Sequence, residues 1–307
     1  MMWHKQNQTM AGIFLAILAT LIWSGNFIIA RSAASSIPPI TLAFSRWACA
    51  SLIMLPLGWQ AFMRDRMAIL KHWPSLAFAA LAGVAVFNTL VYVAGHYSAA
   101  INLALIGTTS SPIFSFILAR IFLKEQIPFQ RLLGLLICIA GILMLLSRGS
   151  WDILMHFRFT EGDWWILGAA FSFAVYNIMA RKKPAAIGPV SYLFITFWMG
   201  TLMLLPFAIG EQSKHADISW NANLVGMILY LGAGTSVAAF FCWNAAIARL
   251  GAARAAIFGN LIPLFSSIEA VLILREQITW VHLAGMGIII IGLITANLKR
   301  SQPRQPS

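Results

Sequence analysis

The sequence predicts an all-α integral membrane protein of ten transmembrane helices, arranged as two inverted five-helix repeats with both termini cytoplasmic. Three observations carry this. Of 307 residues, 60% belong to the apolar set and only 10% are charged. A soluble domain has roughly 45–50% and about 25%, so this chain lacks the charge to cover a water-facing surface. The charges cluster between apolar runs of a length that crosses a ~30 Å hydrocarbon core. Finally, the second half of the chain repeats the first at an offset of 150 residues, as Trp23 and Phe173 illustrate.

The apolar runs fall at about 11–30, 40–58, 75–96, 101–123 and 132–147 in the first half. They fall at about 164–180, 190–210, 222–247, 254–274 and 281–297 in the second. They are continuously apolar, not alternating, so they are helices and not strands of a barrel, the other form that satisfies its backbone in lipid. The first run has the outline of a signal peptide, with Lys5 before it and Ser32–Ala34 after it. Its internal copy counts against cleavage: Trp23-Ser24-Gly25-Asn26-Phe27-Ile28-Ile29-Ala30-Arg31 matches Phe173-Ala174-Val175-Tyr176-Asn177-Ile178-Met179-Ala180-Arg181.

The match continues in register. Pro39 and Pro56 recur as Pro189 and Pro206; after one inserted residue, Pro112-Ile113-Phe114-Ser115 recurs as Pro263-Leu264-Phe265-Ser266. Lys124-Glu125-Gln126-Ile127 recurs as Arg275-Glu276-Gln277-Ile278, and Gly134 and Gly141 as Gly285 and Gly292. Residues 1–150 therefore form the first repeat, 151–298 the second, and 299–307 a disordered cytoplasmic tail rich in polar residues and proline. Five helices per repeat force the second copy to enter the membrane upside down. The charges agree. With both termini inside, fifteen of the 21 Lys and Arg are cytoplasmic and five external, with Arg46 inside a span. The Arg64–Lys71 loop is basic, whereas its copy Glu211–Asp217 is acidic.

This bias also accounts for the net charge of +12 without nucleic acid, for which no basic face or binding module is present. Cys49, Cys138 and Cys242 lie in apolar runs with no CxxC pair, so neither a disulfide nor a metal framework is expected, and no cofactor.

Several intramembrane residues are candidates for a solute site. Asn88, Tyr92 and His96 are four apart and share one helix face. Trp23 with Asn26, Tyr176 with Asn177, and Trp243 with Asn244 add polar–aromatic pairs on duplicated helices. Such faces are costly against lipid and should line a cavity inside the bundle, although each Asn is equally served by a hydrogen bond between helices. Pro112 and Pro263 lie mid-helix and crowd the carbonyls of Thr108 and Gly259, making either static kinks or hinges with an exposed carbonyl. The glycine pairs seven residues apart read as close helix packing.

Arg46 and Glu269 are the charges well inside spans, at similar depth; they either pair, contact solute, or are accommodated by snorkelling and by protonation. Glu125 and Glu276 read as helix-start electrostatics.

These residues resemble the drug/metabolite transporter superfamily, specifically its ten-helix EamA-type transporters. The resemblance rests on the Trp-Ser-Gly-Asn-Phe segment, Arg46, the tract Gly95-His96-Tyr97-Ser98-Ala99-Ala100, Ser111-Pro112-Ile113-Phe114 and the Leu-Lys-Glu junction, with their second-half copies. It covers about residues 11–297. It implies inverted repeats around a central cavity and export of amino acids, other metabolites or drugs. The leading reading is a secondary exporter of small polar or amphipathic metabolites such as amino acids, working by alternating access as a monomer in the bacterial inner membrane.

A proton-coupled exporter of cationic compounds is the alternative, favoured by Glu269; the helix-1 carboxylate that four-helix multidrug relatives use for protons is missing here. An intramembrane enzyme is the remote alternative. It would need paired aspartates, a Ser–His dyad or HExxH; no Asp lies in any span, and Ser110 or Ser111 with His96 lacks a nucleophile turn. The expected partners are the lipid bilayer, a small-molecule solute and protons.

Overall fold

A computed structural model describes residues 2–298 except 34, 99, 148, 157–159, 215–217, 219 and 275–279. The tail 299–307 and the Arg275–Ile278 junction lie outside the described residues. Those described form ten helical rods and no strand. The first repeat holds α1 (Met2–Ser32), α2 (Pro39–Lys71), α3 (Trp73–Tyr97), α4 (Ala100–Phe122) and α5 (Phe129–Leu146). The second holds α6 (Glu161–Arg181), α7 (Pro189–Gln212), α8 (Ala222–Leu250), α9 (in three pieces, Ala252–Ile257, Phe258–Asn260 and Leu261–Leu274) and α10 (Trp280–Asn297). A short helical turn, Trp151–Met155, lies in the connection between them. Among the described residues, five helices are long and apolar enough to cross a membrane: the Asn7–Asn26 stretch of α1, and α2, α3, α7 and α8. Outward-facing Phe14, Leu52, Phe207 and Ile291 are all more than half exposed, as lipid-facing side chains would be.

The helices pack as the repeat requires. α2 and α7 are repeat equivalents, each opened by a proline in its first turn, where the missing N–H costs nothing. They run antiparallel: Thr41 meets Glu211, Ser51 meets Thr201 at 2.9 Å, Gly58 faces Phe194, and Asp65 meets Ser191 at 2.6 Å. Ser51 and Thr201 occupy the same repeat position, so a pseudo-twofold axis passes beside their hydrogen bond. α1 packs on α8 as α6 packs on α3, and α1 on α9 as α6 on α4. An axis that relates antiparallel partners is what inversion demands.

Each helix of the α2–α7 pair is capped by the other. The backbone N–H groups of Ile40 and Thr41 donate to the Glu211 carboxylate at 3.2 and 2.6 Å, and the Thr41 hydroxyl does so at 2.8 Å. At the opposite end the Gly188 N–H and the Ser191 hydroxyl donate to Asp65 Oδ2 at 2.7 and 2.6 Å. Helix N-termini leave donors without intrahelical partners, and Pro38 and Gly188 at the caps have no side chain to accept them. The sequence reading placed Arg64–Lys71 in a loop. The structure corrects this: α2 runs on to Lys71, about 50 Å in all at 1.5 Å per residue, and carries Asp65 out to the end of its partner. Asp65→Ala and Glu211→Ala should each cost about 1 kcal/mol, and the double variant about the sum, because the caps are about 36 Å apart. Thermal unfolding in detergent checks this; unchanged melting in both variants would show the caps to be idle.

α5 and α10, the other pair of equivalents, cross at their glycines. A Cβ on Gly134 would stand 2.5 Å from the Gly292 carbonyl oxygen, and one on Gly141 would stand 2.9 Å from that of Gly285. The two pairs are exchanged by the same axis.

α3 and α8 each widen into π-helical winding, at Leu81–Val86 and Tyr230–Ala238. This winding often accompanies functional sites. In each, a carbonyl is met from a neighbouring helix: Ser172 of α6 donates to Ala82 at 2.8 Å, and Trp23 of α1 donates to Thr235 at 2.8 Å. The π segments thus anchor α6 and α1 at equivalent places.

One end of the bundle gathers the basic loops. Arg181 donates to the Ala248 carbonyl, Arg249 to Gln8, and Arg254 to Asn297. Glu125, after α4, lies 3.0 Å from the Cβ position of Gly251, between α8 and α9.

Candidate functional site

The site begins with Arg46, which is 1% exposed. Its Nε donates to Ser236 Oγ at 2.6 Å; its Nη1 donates to Asn26 Oδ1 at 2.9 Å, Asn88 Oδ1 at 2.7 Å and the Tyr92 hydroxyl at 2.9 Å. Four helices (α1, α2, α3 and α8) therefore converge on one guanidinium. All four partners are neutral, and among the described residues no carboxylate lies within 4.0 Å of it. Its Nη2 has no hydrogen-bond partner among the described residues. An unpaired cation in a low-dielectric interior is expensive, and four hydrogen bonds offset only part of that cost.

Arg46, Asn26 and Asn88 line a cavity of about 60 Å³ at the centre of the bundle. At ~10–15 Å³ per water, it holds a few waters in this conformation. The lining is also aromatic. Trp23 lies against Phe173, Phe240 and Trp243 at ring-centroid distances of 5.5, 5.6 and 5.0 Å, and Phe87 stacks on Phe173 at 4.7 Å. The lining thus combines polar groups with π surfaces.

Both proline-related positions also reach the cavity: Thr108 of α4 and Gly259 of α9 line it, with Ser111 beside them. The two helices differ in form. α4 continues through Pro112, whereas α9 tightens at Phe258–Asn260, one turn before Pro263, and the Gly259 carbonyl accepts the Leu261 N–H.

The remaining candidates are dispersed. Tyr92 stands behind Arg46 and is 1% exposed. Tyr176, Asn177 and Asn244 make two separate neutral contacts: Trp243 Nε1 donates to Asn177 Oδ1 at 2.9 Å, and Asn244 Nδ2 to the Tyr176 hydroxyl at 2.6 Å. His96 shares a face with Asn88 and Tyr92 but lies two turns further along α3. There it lines a recess of about 490 Å³ with Pro38, Tyr97 and Glu211. Glu269 does not pair with Arg46; it contacts the Ser24 hydroxyl.

Sequence reasoning passed over Ser236, which binds the Arg46 Nε, and Ser24, which meets Glu269. The signal for Ser236 was the Thr235-Ser236 pair between Gly232, Gly234 and an apolar run. It also passed over Asp163, fully buried at the start of α6 and satisfied by the Ser98 hydroxyl and the Thr160 N–H. Asn260, fully buried in the α9 break, was missed as well.

A helical bundle of paired repeats enclosing a small, largely apolar cavity with a few polar groups in its wall is an architecture that suits a secondary transporter. The chain belongs to the EamA-like transporter family, which it matches twice, over residues 10–147 and 160–298. It is 27% identical over 290 residues to an "Uncharacterized transporter" of Archaeoglobus fulgidus, covering 94% of this chain and 98% of the relative. It is 26% identical to the "Probable terminal-alkyne amino-acid exporter" of Streptantibioticus cattleyicolor, covering 93% of each chain. It is 24% identical to the "Probable amino-acid metabolite efflux pump" of Salmonella typhimurium, covering 91% and 92%. A solved crystal structure shares the fold with a TM-score of 0.74 at 17% identity, covering 95% of this chain and 96% of the other.

Proposed function

We propose that this transporter exports small metabolites bearing a carboxylate, amino acids foremost, by alternating access around the central cavity. The observation that carries the reading is Arg46: a buried guanidinium at the cavity wall that has, among the described residues, no carboxylate partner and no partner for Nη2. A solute carboxylate supplies the missing charge through a charge-assisted hydrogen bond, while the aromatic wall accepts an apolar side chain or an ammonium. Two relatives named for amino-acid export support it. A cationic drug would meet the same uncompensated charge, which disfavours the multidrug alternative.

In this reading residues 1–150 and 151–298 are the two repeats, and ten spans leave both termini in the cytoplasm of a bacterial inner membrane. The protein works as a monomer. Purified protein should bind members of an amino-acid panel and not their carboxamide analogues; equal binding of acid and amide would overturn the reading. The topology has its own test. Single cysteines at Arg64 and Lys182 should be labelled only from the cytoplasm, and one at Ser213 only from outside; labelling of 64 and 182 from opposite faces would refute the inversion.

A further inference from the structure

Arg131 and Arg254 bring two cations together where the repeats meet, at the basic end of the bundle. Arg131 is in the first turn of α5 and Arg254 in the first turn of α9, and both are partly buried. They are within electrostatic reach of each other. Arg254 Nε donates to Asn297 Oδ1 of α10 at 2.6 Å. Its two Nη groups, the fork that grips an oxyanion, have no acceptor among the described residues. The Arg131 guanidinium has no hydrogen-bond acceptor among them either. No carboxylate among the described residues lies within 4.0 Å of either arginine.

The charge balance of this junction is positive. Glu125 acts on Arg131 from a distance and packs beside Gly251. Arg120 and Lys124, on either side of the α4 end, make four cations to that one carboxylate. The first turn of a helix is the positive end of its dipole, so α5 and α9 add to the excess, while the carboxyl end of α10 offsets part of it. The tail 299–307 adds Lys299, Arg300 and Arg304 to the sequence and no acidic side chain. Two partly desolvated guanidiniums repel through a medium that screens them less than water does. A shared oxyanion removes the repulsion and receives charge-assisted hydrogen bonds from both. Beside this point, Leu132 and Leu136 of α5 and Ile294 and Leu298 of α10 are 44–61% exposed.

We propose that Arg131 and Arg254 form a binding site for the phosphate of an anionic membrane phospholipid, such as a phosphatidylglycerol, held between the two repeats. The phosphodiester supplies the missing anion, and its glycerol carries acyl chains onto the exposed leucine and isoleucine side chains. A free phosphate has nothing to place there. A choline headgroup brings a further cation into a junction already rich in them, so a zwitterionic lipid is the poorer ligand. Because Arg131 belongs to α5 and Arg254 to α9, a bound lipid ties the first repeat to the second at this end. The site rests on the chain's place in a membrane and not on the reading of the central cavity; either stands if the other fails.

Competition of unlabelled lipids against a fluorescent phosphatidylglycerol, on the full chain in detergent, tests it. Wild type should prefer phosphatidylglycerol to phosphatidylcholine by about tenfold or more, and the preference should shrink as salt rises. Arg131→Gln combined with Arg254→Gln should abolish the preference, and each single variant should lose part of it. Lys71→Gln, which removes an exposed cation at the end of α2, should keep it. Gel filtration reports folding; should the double variant not fold, the single variants and the salt dependence decide. Equal affinity of wild type for the two lipids overturns the proposal. So does a preference that survives in the folded double variant or ignores salt, or an equal loss in K71Q. Displacement of the lipid by inorganic phosphate at equal concentration would make this a site for soluble anions and overturn the lipid assignment.

Discussion

Arg46→Gln should reduce binding and transport of carboxylate solutes by about 10–100-fold, the loss of one charge-assisted hydrogen bond worth ~1.5–3 kcal/mol. The amide keeps polar atoms near Asn26, Asn88, Tyr92 and Ser236 but reaches fewer of them and carries no charge. Arg46→Lys should recover only part of the loss. An ammonium is a point charge with three donors, and the observed arrangement uses a planar fork that spans four partners. Gel filtration of each variant separates loss of folding from loss of recognition. Wild-type affinity for amino acids in a well-folded R46Q protein would remove Arg46 from the site.

The second large effect should come from the α5–α10 crossing. Gly134→Ala places a methyl group 2.5 Å from the backbone N of Ala296 and from the Gly292 carbonyl oxygen. Neither is a flexible side chain that can swing away, so the helices themselves must part. Overpacking of this kind costs about 1–3 kcal/mol even where side chains yield, and more is expected here. Gly287→Ala, on α10 itself but with open space around the new methyl, supplies the control: it should be neutral or stabilising by up to about 1 kcal/mol. Yield of folded protein and melting temperature in detergent read both. Equal behaviour of the two variants would mean that the glycine crossing does not hold the pair together.

The helices and their duplication were legible because both are properties of the chain in one dimension. Apolar runs give length, and Pro39, Pro56 and the glycine pairs hold register. Partnership between helices is set by rotation about their axes, which depth does not reveal. Arg46 and Glu269 were placed at similar depth, yet one faces α1, α3 and α8 while the other faces Ser24. Asp65 and Glu211 were read as loop charges reporting topology, because nothing in their local sequence says that each ends opposite an uncapped helix of the other repeat. The π segments escaped for a related reason. Leu81–Val86 and Tyr230–Ala238 are small-residue stretches whose wider winding depends on Ser172 and Trp23 arriving from other helices. At the site, the sequence pointed to Trp23, Asn26, Asn88 and Trp243, and the structure brings these to one cavity. It sets His96, Tyr176, Asn177 and Asn244 elsewhere, because a shared helix face extends over more turns than the cavity does.

The repeat position of Arg46 in the second half is Thr196, fully buried and bonded back to the Tyr192 carbonyl of its own helix at 2.8 Å. Two identical five-helix subunits would have to place a guanidinium at both positions, on either side of the axis, where the like charges repel in a medium that screens them poorly. A single continuous chain lifts that obligation. One half supplies the charge and the other keeps a quiet hydroxyl, so a bundle that is nearly symmetric in its framework carries its buried cation on one side of the axis alone.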